Sequence, residues 1–463
     1  MYRQTSSNQS IVQSNMNTEL VIASSSVAEG GIGCWDLHSG AEQLRYKSCA
    51  SPPHGLASVG QRFLASSQLR EPSASSGSVL YWSWSKPQVE VKSFPAEPIK
   101  PIAANSHGTY IVGGGQSGDI YLWEVASGKL LKKWHAHYRA VTCLVFSKDD
   151  SLLISGSEDG CVRIWSLITV FDEFESQQAN HLYLHSFKEH TLRITDVVIG
   201  HGGFNATIVS ASEDRTCKVW SLSKGRLLRN IVFPSVIDAI ALDPAEHVFY
   251  AGSRDGNIYI AALNAESPSS SSYGMHIISS LSDRSKAVTC LAYSTGDLLL
   301  SGSEDGMVRV WDPRTHNIVR MFRHAKGPVN NILVVQRPLY LSLGNFSNPH
   351  TSSRRHGLEL PPALDKYVNL PGEDGENKGV IRLSNPCNVP QDASYLSYHM
   401  IDDHIKDLQQ HGSSAAAEME VERLKQECKR ALQMVKQWKQ MYDNLHEFCV
   451  NELLNGDKVE DNK

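Results

Sequence analysis

One pattern recurs seven times along this chain, and it restricts the fold more than any other feature. Aligned on a terminal tryptophan, the clearest copies are LLISGSEDGCVRIW ending at Trp165, TIVSASEDRTCKVW ending at Trp220 and LLLSGSEDGMVRVW ending at Trp311. Weaker copies end at Trp123 (YIVGGGQSGDIYLW), at Trp82 (FLASS, then GSVLYW), at Trp35 (VIASS, then GGIGCW) and, with no tryptophan, at Ala261 (VFYAGSRDGNIYIA). Each reads as an apolar strand, a tight Ser/Asp/Gly turn and a second strand of alternating character, the period-two signature of a β-hairpin. Asp159-Gly160, Asp255-Gly256 and Asp305-Gly306 provide the left-handed backbone tolerance and local hydrogen bonding that short hairpin turns need. The copies are spaced by about forty to fifty-five residues, close to the roughly 40–45 of a four-stranded propeller blade. Two further strands per copy are visible, as in AVTCLVF (Ala140 to Phe146) and AVTCLAY (Ala287 to Tyr293) before the hairpin and KLLKKW or RLLRNI after it. An all-β, seven-bladed propeller is the fold these observations predict.

Ring closure follows from what the ends lack. The first copy begins directly at its hairpin, while PVNNILVV (Pro328 to Val335) follows the last copy with no hairpin of its own. The C-terminal strand is therefore expected to complete blade 1 and remove both exposed sheet edges. The stretch from Ile168 to Ser186 lengthens the connection after the third strand of blade 4 and is expected to project from the rim as a surface loop, where recognition residues often sit.

The predicted organisation is a flexible N-terminus over 1–18, a propeller over 19–343, a Pro/Ser/Gly-rich linker over 344–412, an amphipathic coiled-coil-like α-helix over 413–455 and a polar tail over 456–463. In the linker SNPHTSSRRHG, LPPALDKY, LPGEDGENKG and SNPCNVPQ supply Pro, Gly, Asn and Ser without a period, with short apolar pieces that could dock on something. In the helix Val421, Leu424, Cys428, Ala431, Val435, Trp438, Tyr442, Leu445 and Cys449 recur at steps of three and four, the a and d positions of a heptad. That seam predicts a homodimer or another helical assembly.

Composition excludes several functions. With 44 basic against 49 acidic residues, the net charge of −5 gives no electrostatic footprint for wrapping nucleic acid or docking on an anionic membrane. Any rRNA contact would be local or made through partners. The nine cysteines are scattered, with no Cys-x-x-Cys pair, and read as small buried hydrophobes of a reducing compartment. The first eighteen residues lack the apolar run of a signal peptide, and no stretch is apolar enough to span a bilayer, so an intracellular, soluble chain is expected. GGGQSGD (Gly113 to Asp119) lacks the lysine of a phosphate loop. His135 and His137 are the closest histidine pair but have no third and fourth metal ligand beside them. No catalytic, cofactor-binding or metal site is expected, nor any small-molecule substrate.

The repeats resemble the WD-repeat family over about residues 19 to 335. Three copies keep the family's aspartate six residues before the tryptophan, in the pairs Asp159 and Trp165, Asp214 and Trp220, and Asp305 and Trp311. His137 and His190 stand where the family places a histidine between blades. The resemblance implies a buried His, Ser, Asp and Trp network in which Ser155 or Ser157 joins His137, Asp159 and Trp165. Although such a set looks like a catalytic triad, mutual satisfaction of buried polar groups specifies a fold without a substrate.

Two idiosyncratic stretches, HTLRITDVVIGHGG (His190 to Gly203) and SVIDAIALDPAEHVFYAGSRDGNIYIAAL (Ser235 to Leu263), and the long C-terminal helix resemble one branch of the family. It is the plant ROOT INITIATION DEFECTIVE type, counterpart of the Ipi-type WD-repeat subunit of the Rix complex of large-subunit preribosome maturation. That resemblance implies a non-enzymatic scaffold in the nucleoplasm and nucleolus, and also in the cytoplasm. It would bind protein partners of a preribosome maturation complex, with an AAA-type remodelling ATPase recruited to the particle, and assist rRNA spacer processing. The alternatives are a substrate-receptor or signalling adaptor and a chromatin- or replication-associated scaffold.

Overall fold

A strand that is apolar along most of its length needs cover on both faces, and the strand before the turn of each repeat, the second of its blade, makes that demand. The computed structural model describes residues 19–47, 49–60, 62–69, 77–171, 182–263, 277–283, 286–324, 327–337 and 361–367. In it, Tyr110–Gly115 and Leu152–Ser157 are buried at every position. Outer strands such as Arg226–Val232 and Asn317–Arg323 alternate between exposed and partly covered residues.

The described strands form seven four-stranded antiparallel sheets. Blade 2 runs from Leu56–Val59 to Val91–Ser93, blade 3 from Ile99–Ala104 to Leu130–His135, and blade 4 from Val141–Phe146 to Tyr183–Phe187. Blade 5 runs from Ile194–Ile199 to Arg226–Val232, blade 6 from Ile237–Leu242 to Ile277–Ser282, and blade 7 from Val288–Tyr293 to Asn317–Arg323. Blade 1 takes its innermost strand, Val329–Gln336, from the far end of the propeller and the other three, Glu19–Ser25, Ile32–Asp36 and Glu42–Tyr46, from the near end. Innermost strands neighbour one another around the whole ring, so the propeller is closed.

The closing strand is fixed by register and by side chains. Leu20 pairs with Val335, Ile22 with Leu333 and Ser24 with Asn331. The Asn331 amide donates to Ser24 Oγ (3.0 Å), Ser51 Oγ (3.2 Å) and the Pro52 carbonyl (2.8 Å), joining the closing strand to its blade and to the loop that leads to blade 2. On the other side the Glu19 carboxylate accepts hydrogen bonds from Ser294 and Thr295 in the first turn of blade 7.

Seven hydrophobic clusters, one in each gap between adjacent blades, make up the core of the described residues. Each third-strand tryptophan faces the preceding blade, where the outer strand often presents an aromatic ring. Phe187 stacks on Trp220 with centroids 4.3 Å apart, Phe322 on Trp35 at 5.7 Å, Trp134 meets Trp165 edge-on at 5.7 Å, and Tyr46 packs on Trp82 at 6.0 Å. Blade 6 has Ala261 at the tryptophan position, and Phe233, Phe249 and Tyr259 occupy its gap with blade 5.

The structure corrects the expectation for Ile168 to Ser186. Leu167–Phe171 is a short helix with Leu167 and Val170 buried in the gap between blades 3 and 4, because apolar residues at helical spacing can face the core together. Tyr183–Phe187 is the outer strand of blade 4, so only 172–181 lies between these elements, outside the described residues. The helix seam from Val421 to Cys449 also lies outside the described residues.

Candidate functional site

In blade 4 the hairpin aspartate, the inter-blade histidine and two residues of the buried strands form one polarised chain. Trp165 Nε1–H donates to Ser155 Oγ (2.9 Å), and Ser155 Oγ lies 2.7 Å from His137 Nε2. His137 Nδ1 lies 3.2 Å from Asp159 Oδ2. With the proton assigned to Nδ1, the serine hydroxyl donates to Nε2, His137 donates to Asp159, and every donor is used once. The network thus includes Ser155; Ser157 instead donates to the Arg139 carbonyl (3.2 Å) and receives the Asp159 amide (3.1 Å). Blade 5 repeats the chain with Trp220 to Ser210 at 2.9 Å, Ser210 to His190 at 2.8 Å and His190 to Asp214 at 2.9 Å.

Burial holds the His137 imidazole below its ordinary value, which keeps it neutral near pH 7. Burial pushes the Asp159 carboxyl up, but hydrogen bonds from His137 and from the Cys161 and Tyr138 amides outweigh it and hold the group well below the usual carboxylate range. Asp214 is depressed in the same way by His190, Thr216 and the Thr191 amide. Ser155 and His137 are each 0% exposed, so no external substrate reaches this serine and imidazole. Their partners are already supplied inside the blade. His135, by contrast, is exposed and lies 2.9 Å from Asp119, apart from the His137 network.

Blade 7 keeps the tryptophan–serine bond, from Trp311 Nε1 to Ser301 Oγ at 2.8 Å, but its aspartate has a different partner. Arg309 donates to Asp305 (2.7 Å) and to Asp283 (2.9 Å), a pairing that the hairpin motif alone does not signal. Blade 3 has Ser117 at the aspartate position and draws its carboxylate from the preceding loop. Glu97 accepts from Ser117 N (2.8 Å), Ser117 Oγ (2.7 Å) and Tyr121 OH (2.8 Å). Burial and then the Glu97 contact push the Tyr121 phenol up to about 12. In blade 6 Tyr259 OH donates to Asp255 (2.6 Å). A tyrosine four residues after the turn position was the available signal in blades 3 and 6; an arginine there does not discriminate, because Arg163 of blade 4 donates to the Ala136 carbonyl while Asp159 pairs with His137.

The same networks fix the loops that enter the blades. The Tyr138 amide donates to Asp159 and the Thr191 amide to Asp214, so the backbone beside each buried histidine is pinned. These loops present Tyr138 at 80% exposure and Leu192 at 52%, flanked by exposed Arg139 and Arg193. Tyrosine and arginine are the residue types that most often carry binding energy at protein interfaces, and Tyr138 stands beside Arg139, with Leu192 beside Arg193 in the matching loop. Between blades 5 and 6, Arg193, Glu213, Arg254 and Asp238 form a ladder of ion pairs of 2.7 to 3.0 Å.

At the centre of the ring lies a cavity of about 540 Å³ lined by the innermost strands. His54 reaches across it to the Thr195 carbonyl of blade 5 (3.0 Å), beside Asp196 at 3.8 Å. Asp196 accepts the Val197 and Ile240 amides, each at 2.8 Å, and burial raises its carboxyl above the ordinary range. Among the described residues no three His, Cys, Asp or Glu side chains come together as a metal site.

The "WD domain, G-beta repeat" family model matches residues 128–166, 182–221 and 275–312, segments that each end one residue past the tryptophan of blades 4, 5 and 7. The chain is 58% identical to "Protein ROOT INITIATION DEFECTIVE 3" of Arabidopsis thaliana over 439 residues, 93% of this chain and 98% of that protein. It is 34% identical to "WD repeat-containing protein 18" of Homo sapiens over 341 residues, covering 70% and 76% of the two chains. It is 31% identical to "Pre-rRNA-processing protein IPI3" of Yarrowia lipolytica over 319 residues, covering 65% and 72%.

Proposed function

The chain belongs to the WD-repeat family that includes ROOT INITIATION DEFECTIVE 3 and WD repeat-containing protein 18, and from that membership we propose that it is a non-enzymatic scaffold of pre-rRNA processing. The observation that carries this reading is the similarity to a pre-rRNA-processing protein over 65% of the chain, a span that takes in more than one repeat. We place its action in the nucleus, on precursors of the large ribosomal subunit, where it joins protein partners of a Rix-type complex. The buried chemistry of blades 4 and 5 supports a structural use of their serine–histidine–aspartate sets. The pinned loops with Tyr138 and Leu192 are the surface we assign to partner binding, because rigid display lowers the ordering cost of association. The seam from Val421 to Cys449 is proposed to join two copies of the chain.

Affinity purification of the tagged full-length chain from nuclear extract tests the reading. Large-subunit precursors with spacer-containing rRNA should be recovered, and Tyr138→Ala with Leu192→Ala should reduce their yield several-fold while the protein stays folded. Recovery of ubiquitin-ligase subunits without rRNA precursors would instead identify an adaptor.

A further inference from the structure

Residues 361–367 lie in the stretch that composition marks as linker, yet Leu364 is buried in the cluster between blades 2 and 3. Three hydrogen bonds seat this segment. Leu364 N donates to Ser93 Oγ (2.9 Å), Asp365 N donates to the Gly128 carbonyl (2.8 Å), and Trp123 Nε1 donates to the Asp365 carbonyl (2.9 Å).

Each of these contacts answers a defect in the two blades. Three residues before the third-strand tryptophan position, the outer strand of the same blade pairs with an apolar side chain almost everywhere. That partner is Tyr46, Trp134, Phe187, Ile231, Leu281 or Phe322, and in blade 2 alone it is Ser93. The apolar side chain that elsewhere fills the gap to the next blade is thus missing, and Leu364 supplies apolar bulk there. In blades 4, 5 and 7 a serine ten residues before the tryptophan accepts its indole N–H, whereas blade 3 has Gly113 there. A Cβ at Gly113 would lie 2.8 Å from the Ile99 side chain and 3.0 Å from the Trp123 ring, so a serine there would require these side chains to shift. The Asp365 carbonyl takes the proton instead. At the blade 3 turn, a Cβ on Gly128 would come within 2.4 Å of the Ala363 carbonyl, so the peptide runs where only glycine leaves room.

We propose that the flank between blades 2 and 3 is a peptide-binding groove, built for one leucine with two amide donors and one carbonyl acceptor around it, and that its occupant is the chain's own Pro361–Asp365. The groove joins the polypeptide beyond the ring to a fixed point on the propeller. It also makes the segment part of the folded unit, past the boundary at 343 that the sequence suggests.

The test uses the full-length chain with Leu364→Glu, which should vacate the groove, and a dye-labelled peptide LPPALDKY as the probe. Hydrogen exchange at the Asp365 amide should accelerate at least tenfold in the variant. The peptide should bind the vacated groove saturably but fail to bind the wild-type chain, whose tethered segment competes at high effective concentration. Trp123→Phe keeps the ring and removes the donor; combined with Leu364→Glu it should weaken the peptide by about fivefold, the typical worth of one hydrogen bond. Leu364→Ala is the milder variant and should show the same exchange change if Leu364→Glu does not fold. Unchanged exchange at Asp365 in a folded variant, or a vacated groove that binds no peptide, overturns the proposal.

Discussion

At the scale of single residues, Ser155 is the most informative position. It accepts from Trp165 and donates to His137 with all three side chains out of contact with water. Replacing it with alanine leaves an indole N–H and an imidazole nitrogen buried without partners, and each such orphan costs about 1–3 kcal/mol. We expect Ser155→Ala to lower the unfolding free energy by about 2–4 kcal/mol on that basis, read from denaturant midpoints with an unchanged slope. A loss below about 0.5 kcal/mol, the scale of ordinary surface substitutions, would show that the network is not buried as described. The serine was legible only as one of two candidates. Ser155 and Ser157 point to the same side of one strand, and the choice between them depends on how far the histidine loop reaches, which hairpin spacing does not contain.

Elements were legible where their chemistry is local and lost where it is borrowed. The Asp-Gly turns of blades 4, 6 and 7 mark their hairpins within about fifteen residues, as the length of LLISGSEDGCVRIW illustrates. The third strands do not alternate as expected, because neighbouring blades cover both faces and bury Val162–Ser166 and Ile32–Asp36 at every position. Blade 3 reads as weak because Ser117 replaces the aspartate, yet its carboxylate arrives from Glu97, twenty residues earlier. Blade 7 similarly replaces histidine by Arg309 and Asp283. Leu364 was harder still, since it reaches its core position from 271 residues beyond Ser93. The Leu167–Phe171 helix was missed because five residues are too few for a helical period to stand out from a loop. The borrowed carboxylate makes its own prediction. Glu97→Ala removes the acceptor of three donors, so amide exchange in the Gly115–Asp119 turn should rise about fivefold while the Asp159 turn of blade 4 keeps its rate. Equal acceleration in both turns would mean that the two blades do not hold their turns independently.

For the whole molecule, the decisive fact is that no blade stands alone. Every tryptophan-bearing third strand buries its ring against the preceding sheet, so an open ring would expose an apolar face and two unpaired edges. Seven core clusters for seven gaps, and a blade assembled from both ends of the propeller, are the signature of closure. Partner binding by the Tyr138 and Leu192 loops presupposes that closed disc, because their backbones are pinned from inside it. The most direct measurement is the thermal unfolding and solution mass of the full-length chain beside a variant lacking Pro328–Leu343, which deletes the strand paired with Glu19–Ser25. The variant should aggregate or lose its cooperative transition; a soluble variant that melts at the wild-type temperature would contradict the closed ring.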